Sequence, residues 1–174
     1  MTSSLVLWTI FAIAIFWSVG VYNRLMRMRA KGLEAMAAVD RYLQRYEALV
    51  DAHLGRDLDD IAPEWRDLRA ALSSLYLACN AVRSAPLDVE GVQALAIGYQ
   101  VLQDAWAVLR ESPNDLAGHR VPEGLQIEWE RISQKVMHAR SKYHQIATEY
   151  NHALAQCPAS LLVRIAGFKS AGTL

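Results

Sequence analysis

The sequence predicts an all-α protein: an N-terminal transmembrane helix continuing into an antiparallel up-down four-helix bundle. Three observations predict it. No charged side chain occurs from Met1 to Asn23. Beyond that point apolar residues recur at alternating spacings of three and four, the period of a helix buried on one face. Prolines, glycines and one acidic run divide this pattern into four segments joined by short connections, which favour antiparallel neighbours. At 174 residues the chain suits one folded unit. The domain reading is therefore 1–23 as N-terminal tail and anchor, and 24–174 as helical bundle with a membrane-proximal C-terminal tail.

The anchor comes first. Leu5 to Tyr22 reads LVLWTIFAIAIFWSVGVY, 18 residues, which as a helix cover about 27 Å against a hydrocarbon core of about 30 Å. Ten of them are Leu, Ile, Val or Phe, together favouring insertion by about 3 to 6 kcal/mol. Thr9, Ser18 and Gly20 offset only part of that. A cleaved signal peptide is disfavoured by the missing basic n-region, the length of the apolar stretch and the lack of an Ala-x-Ala-like site after it. A core helix would keep a polar face, which this stretch lacks. Arg24, Arg27, Arg29 and Lys31 follow at once, and the first acid is Glu34. The positive-inside rule then places the bundle in the cytoplasm and the short N-terminus outside. Trp8, Trp17 and Tyr22 suit the two interfaces.

The first helix is expected to continue beyond the anchor, with Leu25, Met28, Gly32, Met36, Val39, Leu43, Tyr46, Val50 and Leu54 on one stripe, until Gly55 and the acidic run Asp57 to Asp60 stop it. Pro63 fits the first turn of a second helix carrying Trp65, Leu68, Leu72, Leu75, Cys79 and Val82, which Pro86 ends. Asp88 is an expected N-cap for a third helix with Val92, Leu95, Tyr99, Leu102, Trp106 and Leu109. The turn-rich stretch Ser112 to Gly124 reads as a loop. The fourth helix carries Trp129, Ile132, Val136, Ala139, Tyr143, Ile146, Tyr150, Ala153 and Cys157 and stops at Pro158. Helix parity brings the C-terminal tail back to the membrane. There Leu161, Leu162, Val163, Ile165 and Phe168 would pack on the junction or headgroup boundary, with Arg164 and Lys169 reaching toward phosphates.

Both ends of the bundle resemble a known family. The stretch YNRLMRMRAKGLEAMAAVDRYLQRYEALV after the anchor and the closing ARSKYHQIATEYNHALAQCPASLLVRIAGFK are similar to the LemA family of bacterial membrane-anchored helical proteins. Tyr22-Asn23 matches that family's first Tyr-Asn pair, Tyr150-Asn151 its last, and Gly167-Phe168-Lys169 its closing motif. The chain departs from the pattern at Tyr143-His144, where the family has a second Tyr-Asn in its last helix. It departs again at Cys157, where the family has an aromatic before its proline, at Ser160, which here comes after Ala159, and at Glu47 to Val50, which lacks the family's proline. The resemblance covers about half the chain. It implies a divergent member with an N-terminal anchor and an antiparallel helical bundle, and it implies no established enzymatic activity.

Composition and motifs narrow the chemistry. Lysine plus arginine equals aspartate plus glutamate at 18 each, so there is no basic footprint for nucleic acid. Cys79 and Cys157 have no CxxC spacing and sit at apolar helical positions, which reads as buried thiols. Glu149 to His152 is one ExxH, whereas a di-iron bundle needs two and two further inward glutamates. It falls on the flank of the Tyr150–Ala153 stripe and reads as an exposed polar pair. His138 and His144 do not share a helical face, and His53 and His119 fall at a helix end and in a loop. No zinc-type spacing, nucleophile elbow, phosphate-binding loop or dinucleotide fingerprint is present. The aromatic stripe Trp129, Tyr143, Tyr150 reads as core.

Catalytic, cofactor-binding and metal residues are therefore expected to be none, and no cofactor is expected. The residues singled out are Tyr22, Asn23, Arg24, Arg27, Arg29 and Lys31 at the membrane junction, and Tyr143, Tyr150, Asn151, Pro158, Gly167, Phe168 and Lys169 in the family-like motif. Asn23 and Asn151 are expected to clamp the anchor to the last helix. The basic residues set topology and can also meet anionic headgroups. The expected function is a non-enzymatic scaffold or adaptor in a bacterial inner membrane. Its partners would be the lipid bilayer and another membrane or peripheral protein, with homo-oligomers compatible. Alternatives are a lipid-organising or self-assembling membrane protein and a metal-dependent bundle enzyme.

Overall fold

The computed structural model describes residues 2–54, 62–112, 121–156 and 167–174. Among the described residues there are four helices and no strand: α1 (Thr2–Leu54), α2 (Pro63–Ser84), α3 (Val89–Glu111) and α4 (Glu123–Ala155). The 53 residues of α1 make a rod about 80 Å long. Its apolar part lies outside the core: Leu7, Trp8, Ile13 and Phe16 are all exposed, and the first fully buried side chain is Leu25. Among the described residues one helix is thus long and apolar enough to cross a membrane, and it enters the bundle without a break.

The three-four stripes become the core. Leu25, Met36, Val39, Leu43, Tyr46 and Val50 of α1 are buried, as are the expected stripe residues of α2. On α3 and α4, Tyr99 and Ile146 are only half-buried, and Leu125 adds a turn to the α4 stripe. Pro63 occupies the first turn of α2, where its missing N–H costs nothing. Asp88 caps α3 by accepting a hydrogen bond from the Gly91 N–H at 3.1 Å. α4 starts at Glu123, inside the stretch read as loop, because Pro122 fits the cap position and its carbonyl accepts from Leu125 and Gln126. α4 ends at Ala155, before the expected Cys157 and Pro158. Those two residues, with Gly55 to Asp60, His119 and Leu161 to Ile165, lie outside the described residues, and Leu54 is described in backbone only.

The helices associate as two close antiparallel pairs, α1 with α4 and α2 with α3, and α1 also meets α2 along a narrower strip. α3 lies against α2 at Gly98, where a Cβ would sit in ordinary contact with the Leu75 Cα at 3.4 Å. No Cα of α3 comes within 8 Å of one in α4. Large side chains hold these two helices apart and fill the space: the Trp106 and Trp129 rings stack at 4.0 Å with planes 9° apart, and Arg140 lies over the Tyr99 ring at 4.8 Å. Tyr46 leans on Trp129 with centroids 4.4 Å apart. The polar atoms inside this layer satisfy one another. Ser133 Oγ lies 2.8 Å from the Tyr46 hydroxyl, Gln103 Nε2 donates to that hydroxyl, and Trp129 Nε1 donates to Gln103 Oε1. Burial pushes the Tyr46 phenol above its ordinary pKa.

Candidate functional site

The junction where α1 leaves its apolar stretch is built from both ends of the chain. Tyr22 meets Phe168 edge to face, with centroids 5.7 Å apart, which agrees with the expected packing of the tail on the junction. Gly167, just before, has φ of +69°, a left-handed conformation that costs glycine least. Lys169 is exposed.

The residues after Lys169 turn inward and are clasped. Asn151 grips the backbone of Ala171 at two points: its Nδ2 donates to the Ala171 carbonyl at 2.8 Å, and its Oδ1 accepts from the Ala171 N–H at 2.8 Å. The Tyr143 hydroxyl donates to the Gly172 carbonyl at 2.8 Å and the Tyr150 hydroxyl to that of Lys169 at 3.3 Å. Gly172 N–H donates to the Leu87 carbonyl in the α2–α3 turn, and His144 Nδ1 lies 2.9 Å from the Leu174 carbonyl. The tail therefore ties α4 to the turn between α2 and α3. Gly172 fits because it has no side chain: a Cβ would meet the Val92 Cβ at 2.7 Å and the Val89 Cα at 3.0 Å. Burial pushes the Tyr143 phenol up to about 12 and raises that of Tyr150.

This clasp was not legible in the sequence. Ser170 to Leu174 has no apolar period, and its grip is through backbone groups, which a residue pattern does not display. The signals were the motif residues Tyr143, Tyr150, Asn151 and Lys169, with Asn151 an amide side chain on the flank of a core stripe. The expected clamp of the anchor to the last helix is not what Asn151 forms: its bonds go to the C-terminal tail. Asn151 holds the tail, whereas Asn23 is exposed and forms no side-chain hydrogen bond among the described residues.

A groove of about 880 Å³ runs between α1 and α4, lined only by residues of those two helices. From Arg24 to Tyr42 it follows α1 for about 27 Å. Its floor is small and apolar, with Met28, Ala35, Ala38, Ala139 and Ile146, and its walls carry five cations against two carboxylates. The cations are Arg24, Arg27, Lys31, Arg41 and Lys142, the carboxylates Glu34 and Glu149, so the net charge is +3 with His138 neutral. None of the five forms an ion pair among the described residues. Of the basic residues at the junction, Arg24, Arg27 and Lys31 line the groove and Arg29 does not.

Glu149 and His152 are both exposed; Glu149 accepts from Gln145 and His152 lies by Gln156. No group of three or more potential metal ligands occurs among the described residues. Cys79 is buried, and burial pushes its thiol up to about 12, the opposite of an activated thiolate. No family model, curated protein or solved structure matches this chain.

Proposed function

We propose that this chain is a membrane-anchored, non-enzymatic scaffold or adaptor of the LemA type, seated in a bacterial inner membrane with its N-terminus outside and its bundle in the cytoplasm. One observation carries this reading. A single uninterrupted helix passes from an exposed apolar stretch of bilayer length into the buried core, from Leu5 through Leu25 and onward. A rigid joint of this kind fixes the bundle at a set angle to the surface, as a platform requires. The basic groove begins where the apolar stretch ends, within reach of a partner lying on or emerging from the same membrane. Its apolar floor and unpaired cations suit an amphipathic helix with an acidic face.

Photo-crosslinking tests it. With benzoylphenylalanine at Ala38, in the groove floor, native membranes should give a discrete protein adduct that Lys142→Glu abolishes and that the same probe at Gln93 on α3 does not form. Adducts restricted to lipid and to the chain itself would remove the adaptor reading.

A further inference from the structure

The outward face of the α2–α3 pair is unlike the rest of the bundle surface. From Ala70 to Ala81 on α2, and from Gly91 to Gln103 on α3, there is no charged residue in 12 and 13 positions respectively. Surface helices ordinarily turn charges to water on the face opposite the core. Here that face carries exposed apolar side chains: Leu77 is 68% exposed, Ile97 59% and Val101 45%. Gly98 lies against Leu75, and since the two helices are antiparallel, this register sets Leu77 beside Ile97. The exposed Ala70, Ser74, Ala81 and Ala94 leave the ground between them low. A contiguous apolar patch of this kind marks an interaction site.

We infer that this face is a self-association surface, on which a second copy of this chain docks face to face about a two-fold axis parallel to the helices. The inference rests on the proposed membrane anchoring. Copies anchored in one membrane share an orientation, so a two-fold axis relating them runs along the membrane normal, and only a lateral face of the bundle can meet its own copy. Of the two long lateral faces, the α1–α4 groove bears a net charge of +3 and repels itself. The central α2–α3 face is uncharged and meets its copy without that cost. The face measures about 20 Å by about 20 Å, from the helix rise and spacing, so a pair buries about 800 Å² in total. That falls short of the roughly 1,000 Å² expected of a stable solution complex. Confinement to the membrane, which fixes orientation and raises effective concentration, supplies the difference.

The test uses the full chain with Cys79→Ala and Cys157→Ser, in native membranes under mild oxidation, with one new cysteine at a time. Ile97→Cys and Val101→Cys should form disulfide-linked dimers at about tenfold or higher yield than Met137→Cys on α4, and Leu77→Glu should reduce those dimers by about tenfold or more. Circular dichroism of Leu77→Glu should match the parent, because that side chain lies outside the core. Equal yields at all three positions would overturn the contact. So would dimer loss on Lys31→Glu, which would mean that the α2–α3 face docks in the groove of the next copy. Flotation of the same samples keeps the two claims apart. A chain that floats without adduct overturns the contact alone, and one that does not float overturns the anchor and the contact with it.

Discussion

Asn151, Tyr143 and Gly172 decide whether the C-terminal segment belongs to the bundle. Asn151 presents to Ala171 the donor and acceptor that a backbone peptide would, so Asn151→Ala leaves two buried backbone groups without partners, at about 1 to 3 kcal/mol. Asn151→Asp keeps the acceptor and loses the donor, and should fall between. Amide exchange at Ala171 reads both directly: in the alanine variant its protection should drop to that of a free segment. Tyr143→Phe removes only the hydroxyl on the Gly172 carbonyl and should cost about 1 kcal/mol. Gly172→Ala is the sharper change. Its added methyl meets the backbone of Val89 and Asp88 as well as Val92, so the segment should leave its seat. The amide exchanging faster would then be that of residue 172, whose N–H loses the Leu87 carbonyl in the α2–α3 turn. Unaltered protection of that amide would contradict the clasp.

At the scale of elements, the weak seam is between α3 and α4, where aromatic rings bridge what the backbones do not. Trp106→Ala removes one half of the Trp106–Trp129 stack and should cost about 3 to 5 kcal/mol. The loss should speed amide exchange along α3 and leave the α1–α4 pair protected. Uniform loss of protection in all four helices would show that the seam is no weaker than the rest. The sequence made the helices legible because each must bury one stripe, and periodicity records that requirement: every residue expected on the α2 stripe from Trp65 to Val82 is buried, and Ala71 joins them. Pairing was less legible. Short connections point to neighbours in sequence, yet α3 and α4 stand apart because two tryptophans meet at one level, and spacing along a chain does not state what lies across from it. The candidate site divides the same way. Arg24, Arg27 and Lys31 were visible beside the apolar stretch, whereas Arg41 and Lys142 join them only once α4 returns alongside α1.

For the whole molecule, the buried tyrosines set an upper limit of pH. Burial holds Tyr143 at about 12, and raises Tyr46 and Tyr150 above their ordinary value, while an unfolded tyrosine titrates near about 10. The folded state therefore keeps protons that the unfolded chain releases. Stability from this source is fully present below about pH 10 and is lost as pH rises through the folded values. The melting temperature should hold steady to about pH 9.5 and fall steeply beyond, with the buried tyrosinates appearing only as helix signal is lost. The apolar start of α1 raises a different limit, that of where the molecule can exist in water. The apolar side chains from Leu5 to Val19 are exposed in the fold, and the proposed anchoring covers them with lipid. Alkaline carbonate extraction of membranes containing the full chain tests that claim most directly, beside an Ile10→Arg, Ile13→Arg variant whose changes lie outside the bundle. The parent chain should stay in the membrane pellet, and the double variant should appear in the supernatant with its helical bundle intact. Release of the parent chain by carbonate would contradict it.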